Sequence, residues 1–181
     1  MKALLLLLAA VPAFGYTVGG NISGLNNNLV LRLNNTYTKI ILSSATQYLF
    51  IEQLPENSIY FVSVGIQPAG QKCTITNGLG KSTFNVTANI TCIPVTSTTL
   101  TWTKPTFNTD GSALTDLTGY VIYWGTDPKF TTTTTRIIFN KDILTTRISN
   151  LLLGKTYYFA VASISASGGI GQRSNAAQLT T

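Results

Sequence analysis

Apolar and polar residues alternate along most of this chain in short runs, and clusters of Gly, Asn, Asp and Pro separate the runs. A period of two puts successive side chains on opposite faces of a strand. In LVLRL, Leu29, Leu31 and Leu33 share one face while Val30 and Arg32 take the other. The same pattern predicts strands over 16–22, 39–43, 48–52, 58–67, 72–77 and 85–92, giving about seven strands in the first half. In the second half, STTLTWT sets Leu100 and Trp102 inward, and Pro105 closes that strand. GYVIYWGT puts Tyr120, Ile122 and Trp124 on one face, with Tyr123 on the other. Further strands are expected over 136–140 and 145–150, and then in LLLGKTYYFAV. Strong helix formers are scarce and β-branched residues abundant, so the fold class expected is all-β, two tandem β-sandwiches.

One segment departs from alternation. Ala3 to Val11 is an unbroken apolar run behind Lys2, and Pro12 ends it before Ala13-Phe14-Gly15. One positive charge, a short apolar stretch and small residues two apart describe a secretory signal peptide over 1–15. A membrane anchor is the weaker reading, because a span needs roughly 20 apolar residues. The expectation is an exported chain, secreted or periplasmic, beginning near Tyr16 and carrying no membrane span after cleavage.

Composition narrows the chemistry. Apolar residues make up 44% of the chain and charged residues 10%, so a core is easily buried and disorder is not expected. The net charge of +6 is spread over both halves, with no Lys/Arg cluster interleaved with aromatics. A nucleic-acid partner is therefore not expected. The chain contains no His, which excludes Ser-His and Cys-His catalysis and His-based metal sites. Six acidic residues remain, and Glu52/Glu56 and Asp110/Asp116 read as solvated turn acids rather than catalytic pairs. Calcium at Asp110, Ser112 and Asp116 is the weaker reading there, because such sites usually gather more carboxylates. A Lys–Asn isopeptide bond would need a buried acid, and the first half offers only Glu52 and Glu56. The expectation is no catalytic residue, no metal and no cofactor. The two cysteines, Cys73 and Cys92, fall on separate expected strands, and an even count in an exported chain favours a disulfide.

The frames YTVGGNISGL, LVLRLNN, IQPAGQKCTITNGLG and NVTANITC span nearly all of residues 16–92. They resemble a small Cys-paired repeat domain of exported bacterial proteins. That resemblance implies an immunoglobulin- or prealbumin-like sandwich without activity. Asn-Asn-Thr-Tyr at 34–37 stands where the family carries a Gly/Asn turn, a departure that touches loop shape. Ile93-Pro94-Val95 is too short and stiff for a flexible linker.

Residues 94–181 carry LTWTKPT, DGSALTDLTGYVIYWGT, the Leu151, Gly154, Tyr157 set at spacings of three, and QRSNAAQLTT. The spaced set reads as a tyrosine corner, in which the Tyr hydroxyl returns to the upstream backbone. As an ordered set these segments resemble a bacterial fibronectin type III domain. The resemblance implies a Trp102 plug between the sheets, a Tyr157 corner, and a contact loop over 165–172. That loop reads SASGGIGQ and lacks Arg-Gly-Asp, so integrin-type recognition does not carry over.

Candidate contact residues are the outward Tyr123 and Tyr158, which could stack on sugar rings, and Ser167, Gly168, Gly169, Ile170 and Gln172 of the loop. Cross-strand packing is the plainer reading of the two tyrosines. Thr131–Thr135 reads as an exposed edge strand rather than a binding array. Asn21, Asn34, Asn85 and Asn89 begin N-x-Ser/Thr sequons, which Asn/Thr-rich strands generate by chance. The function expected is a non-catalytic interaction or adhesion module for an unidentified protein or polysaccharide. A structural component of the envelope or of an extracellular assembly is the alternative. Sandwich edges also allow self-association.

Overall fold

The computed structural model describes residues 15–181. All its regular elements there are strands, and the chain divides into two compact units, one ending at Ile93 and the other beginning at Pro94. The signal-peptide reading lies, except for Gly15, outside the described residues. Among the described residues no helix is long and apolar enough to cross a membrane.

The first unit is a two-layer sandwich. One layer orders β3 (Tyr37–Ile41), β2 (Leu29–Leu33), β5 (Ile59–Ile66) and β7 (Leu79–Lys81), all antiparallel. In the other, β1 (Val18–Ser23) lies antiparallel to β4 (Gln47–Leu49) and parallel to β8 (Val86–Thr87) and to the start of β9 (Asn89–Thr101). β6 (Gln71–Thr76) also pairs with β9. Leu29, Leu31 and Leu33 are fully buried between the layers, with Val18, Ile90 and Val62 among their companions. The alternation in LVLRL is therefore realised residue by residue.

The recurrent frames have physical reasons. β1 passes so close to its neighbours that a Cβ at Gly19 would lie 2.5 Å from the Tyr48 carbonyl oxygen, and one at Gly20 would lie 2.1 Å from that of Ala88. The adjacent strand ends are tied by side chains: Asn85 Oδ1 accepts from Thr17 N at 3.1 Å and Asn89 Oδ1 from Asn21 N at 2.9 Å. Tyr48 donates its hydroxyl to Ala88 O at 2.7 Å, and burial pushes its pKa up. Gln71, itself buried, accepts from Asn26 N and Asn27 N and donates to Gly24 O, which locks the β1–β2 turn. At the β2–β3 turn, Asn34 and Asn35 both adopt positive φ, a conformation Asn tolerates and the reason no Gly is needed there. Cys73 and Cys92 form the expected disulfide, joining β6 to β9.

The second unit sets two strands against four. Residues 95–101 of β9 pair antiparallel with β12 (Thr145–Leu152). Opposite lies the sheet β11-β10-β13-β14, made of β11 (Thr134–Ile138), β10 (Leu117–Gly125), β13 (Thr156–Ser165) and β14 (Ala177–Thr180). Tyr120, Ile122, Ile148, Leu151, Tyr157 and Phe159 fill the space between, in an immunoglobulin-like sandwich arrangement.

Some elements differ from the sequence expectation. Residues 93–95, read as a connector, lie within strand β9. The short strand β7 was not expected, because LGK carries too little alternation to register. Of the five-Thr run, only Thr134 and Thr135 belong to a strand. Asp127 withdraws the first Thr from it: its carboxylate accepts from Lys129 N at 2.9 Å and Thr131 N at 2.8 Å, and from the Thr131 hydroxyl.

The disulfide closes a separation of 19 residues. Replacing both cysteines by Ser should cost about 3 kcal/mol in the chain-entropy account, measured as a shift in the urea midpoint at unchanged m-value. A second expectation concerns Asp127, whose hydrogen bonds, led by that from Thr131, lower its pKa from 3.8 to about 2. A depressed folded-state value means the ionised carboxylate stabilises the loop above the ordinary value. That contribution should fade as pH falls from 3.8 through about 2. Protection of the Lys129 and Thr131 amides, taken relative to their intrinsic exchange rates at each pH, should fall over that window, and Asp127→Asn should remove this change.

Candidate interaction surfaces

The tyrosine corner is formed as geometry. Leu151 is buried, Gly154 turns the chain at φ +71°, and the Tyr157 hydroxyl accepts from Leu152 N at 3.0 Å. Trp102 packs edge-on against Tyr120, ring centroids 5.3 Å apart. It is only half-buried, however, so it is not a sealed plug, and its Nε1 lacks a hydrogen-bond partner. Tyr120 donates to Lys141 O at 2.9 Å, and burial raises its pKa. Trp124 also packs against the core, with the Arg136 guanidinium 5.7 Å from its ring centroid.

Tyr123 and Tyr158 do face outward, opposite Ala160 and Gly125 respectively, but both are half-buried. The Arg173 guanidinium lies 5.4 Å from the Tyr123 centroid and 5.2 Å from that of Phe130. A cation already covers one face of Tyr123, so its ring is a packed element rather than a free platform for sugar stacking. Sequence reasoning missed Arg173 because it lies 50 residues along the chain from the tyrosine it covers, beyond any local pattern.

The 165–172 loop closes on itself. Gly168 N donates to Ser165 O at 3.0 Å, the Ser165 and Ser167 hydroxyls are 2.9 Å apart, and Gly169 O accepts from Ser165 N at 3.0 Å. Ile164 and Ile170 form a bridge, and Gly168 takes φ +82°. Ser167, Gly168, Gly169, Ile170 and Gln172 are exposed, yet the turn's own bonds use much of its polar capacity. Gln172 alone of these lines the cleft between β9 and β13.

That cleft has a volume of about 720 Å³. Leu100, Trp102, Phe159 and Val161 line it, with Pro105 at its rim and residues 172–175 along its far side. It was not legible in the sequence, because it arises from layers of unequal width.

The other conspicuous surface is the outer face of the β3-β2-β5-β7 sheet in the first unit. Val30 lies directly between Ile40 and Ile66, and Phe61 lies opposite Leu79. Ile40, Ile66, Leu79 and Ile59 are each more than 60% exposed, and Phe61 is 42% exposed. Antiparallel sheets normally present a polar outer face to water. The two apolar rows on this face are separated by Arg32, which lies between Thr38 and Ser63.

The acidic residues stay apart. Asp110 accepts from both the backbone N and the hydroxyl of Ser112, a local turn that lowers its pKa. Asp142 pairs with Lys104 at 2.7 Å on the surface, and that partner lowers its pKa. Among the described residues no group of three metal-ligating side chains comes together.

No family model matches the chain. No curated protein matches it either. Among solved structures it is similar to the FN1–FN3 domains of chicken CNTN1, at 12% identity and TM-score 0.39, over 93% of this chain and 68% of that one. It is also similar to DUF3823 family proteins from Bacteroides ovatus, at 13% identity, and Bacteroides uniformis, at 10%. Both of those overlays have a TM-score of 0.30 and cover 92% of this chain and 99% of the other. Likenesses this loose carry no functional assignment, and the sandwich architecture rests on strand order and core.

Tyr157→Phe should leave the fold intact and cost about 1–2 kcal/mol, because a part-buried backbone N–H loses its acceptor. Equilibrium denaturation checks this, with Tyr158→Phe as the outward control.

Proposed function

We propose that this protein is an exported, non-catalytic β-sandwich protein whose task is to bind another macromolecule, a protein or a polysaccharide. On this reading the first unit is the Cys-paired immunoglobulin/prealbumin-like module over 16–92 and the second a fibronectin type III module over 94–181. One observation carries the binding role: the apolar row Ile40–Val30–Ile66 on the outer face, with Phe61 and Leu79 on the same face beyond the Thr38–Arg32–Ser63 row. A purely structural spacer would gain nothing from such a face, and its aggregation hazard would stand uncompensated. The absence of His and the dispersal of the carboxylates support the non-catalytic half of the reading.

The test is capture of envelope and culture-medium components on the immobilised full chain. Ile66→Glu puts a negative charge at one end of the apolar row, on an exposed side chain outside the core, so stability should change by no more than about 0.5 kcal/mol. Saturable capture should fall about tenfold or more, whereas the double variant Tyr123→Ala/Tyr158→Ala should retain it. Capture that survives both Ile66→Glu and Phe61→Glu would overturn the assignment to this face.

A further inference from the structure

Two strands cannot cover four. In the second unit the β9–β12 layer faces a sheet twice as wide, and the strip it leaves open is the cleft beside β9. Leu100 and Trp102, the inward residues of β9, remain half-buried there, whereas Tyr120, Ile122, Ile148 and Leu151 are at most 1% exposed.

The wall of the cleft is a free strand edge. Trp102 N donates to Leu144 O at 3.0 Å, and residues pair onward as Thr101↔Thr145 and Leu100↔Thr146. In an antiparallel ladder hydrogen-bonded and non-bonded pairs alternate. The backbone groups of Trp102, Leu100 and Thr98 therefore face β12, and those of Thr101, Thr99 and Ser97 face the cleft. The Arg147 carbonyl agrees with this parity: it accepts from Arg136 at 2.9 Å instead of turning to Thr99. Among the described residues β12 is registered against 95–101, while β6, another partner of β9, reaches it at Asn89 and Thr91. That stretch, VTSTTLT, carries no charge, proline or glycine, so none of the usual guards of an edge strand is present.

We propose that this cleft is an acceptor for one extended polypeptide segment of a partner protein, which adds a third strand beside β9. The inference deepens the interaction-module reading and rests on it. Three features select this occupant. Alternating backbone donors and acceptors along an edge are matched by another backbone. The apolar floor of Phe159 and Val161, with Leu100 and Trp102 beside it, asks for apolar side chains at every second position of that segment. The overhang of β13 and residues 172–175 beyond β9 excludes a strand that already belongs to a folded sandwich, because that strand's own second layer would meet them. Two copies pairing β9 to β9 across a twofold would force both overhanging layers into one space. Arg173 is the only charged residue of the lining, so a basic side chain is disfavoured at that end.

The test uses the full chain and an uncharged seven-residue peptide, acetyl-Thr-Val-Thr-Val-Thr-Leu-Thr-amide, with residue-resolved amide exchange as readout. Saturating peptide should slow exchange at Thr99 and Thr101 about tenfold or more, while Thr98 and Leu100, already bonded to β12, change little. The same peptide N-methylated at alternate residues should have no effect. Thr99→Pro removes a cleft-facing N–H and leaves the β12 ladder intact, so it should abolish the response at an unchanged circular dichroism spectrum. Equal action of the N-methylated peptide would overturn the proposal in favour of a simple apolar pocket. Protection of Thr99 and Thr101 in the free chain would overturn it too: a rise with concentration would mean that a second copy covers the edge, and none that the chain covers it itself. Failure of every peptide while Ile66→Glu still abolishes capture would refute the strand site and leave the binding role standing.

Discussion

A strand with one apolar face must find a second layer to cover it, and both halves of this protein are built on that constraint. In the first unit the requirement is met fully: Leu29, Leu31 and Leu33 disappear beneath β1, β4 and β9. That closure depends on close approach, since β1 slips between Tyr48 and Ala88 only because positions 19 and 20 lack side chains. A methyl group at either place would push β1 away from its neighbours within that layer, so the two glycines matter as much as the three leucines. In the second unit the requirement is met for β10 and β12 but not for the inward face of β9.

The all-β character and the inward residues were legible in the sequence because each depends on near neighbours, and the cysteine pair because the chain holds only two cysteines. Alternation is a local signal, and Leu29–Leu33 carries it without interruption, while Tyr120–Trp124 is a continuous apolar run of strand formers. The tyrosine corner was legible for the same reason, its parts lying within seven residues from Leu151 to Tyr157. What escaped was non-local. Arg173 covers Tyr123 only because β13 and the segment after it lie beside β10. The cleft depends on counting strands per layer, which the order of strands along the chain does not reveal.

Side chains that looked like candidate chemistry proved to be structural once placed. Asn85 and Asn89 use their amide oxygens to hold β1, and Asp127 and Asp110 cap turns. With these acidic groups committed to local geometry, the recognition proposed above would fall to shape, backbone and apolar surface. That division suits a chain rich in Thr, Asn and Ser in which only 10% of residues are charged.

The Cys73–Cys92 bond has a mechanical consequence as well. A pull applied along the chain would have to unzip β6 from β9, and the covalent link stops the intervening segment from paying out. At about 3.4 Å per residue, a separation of 19 residues hides about 65 Å of contour from any such stretch. A protein tethered between two bodies under shear would therefore lengthen less while oxidised than while reduced, and its reach would depend on the redox state of its surroundings.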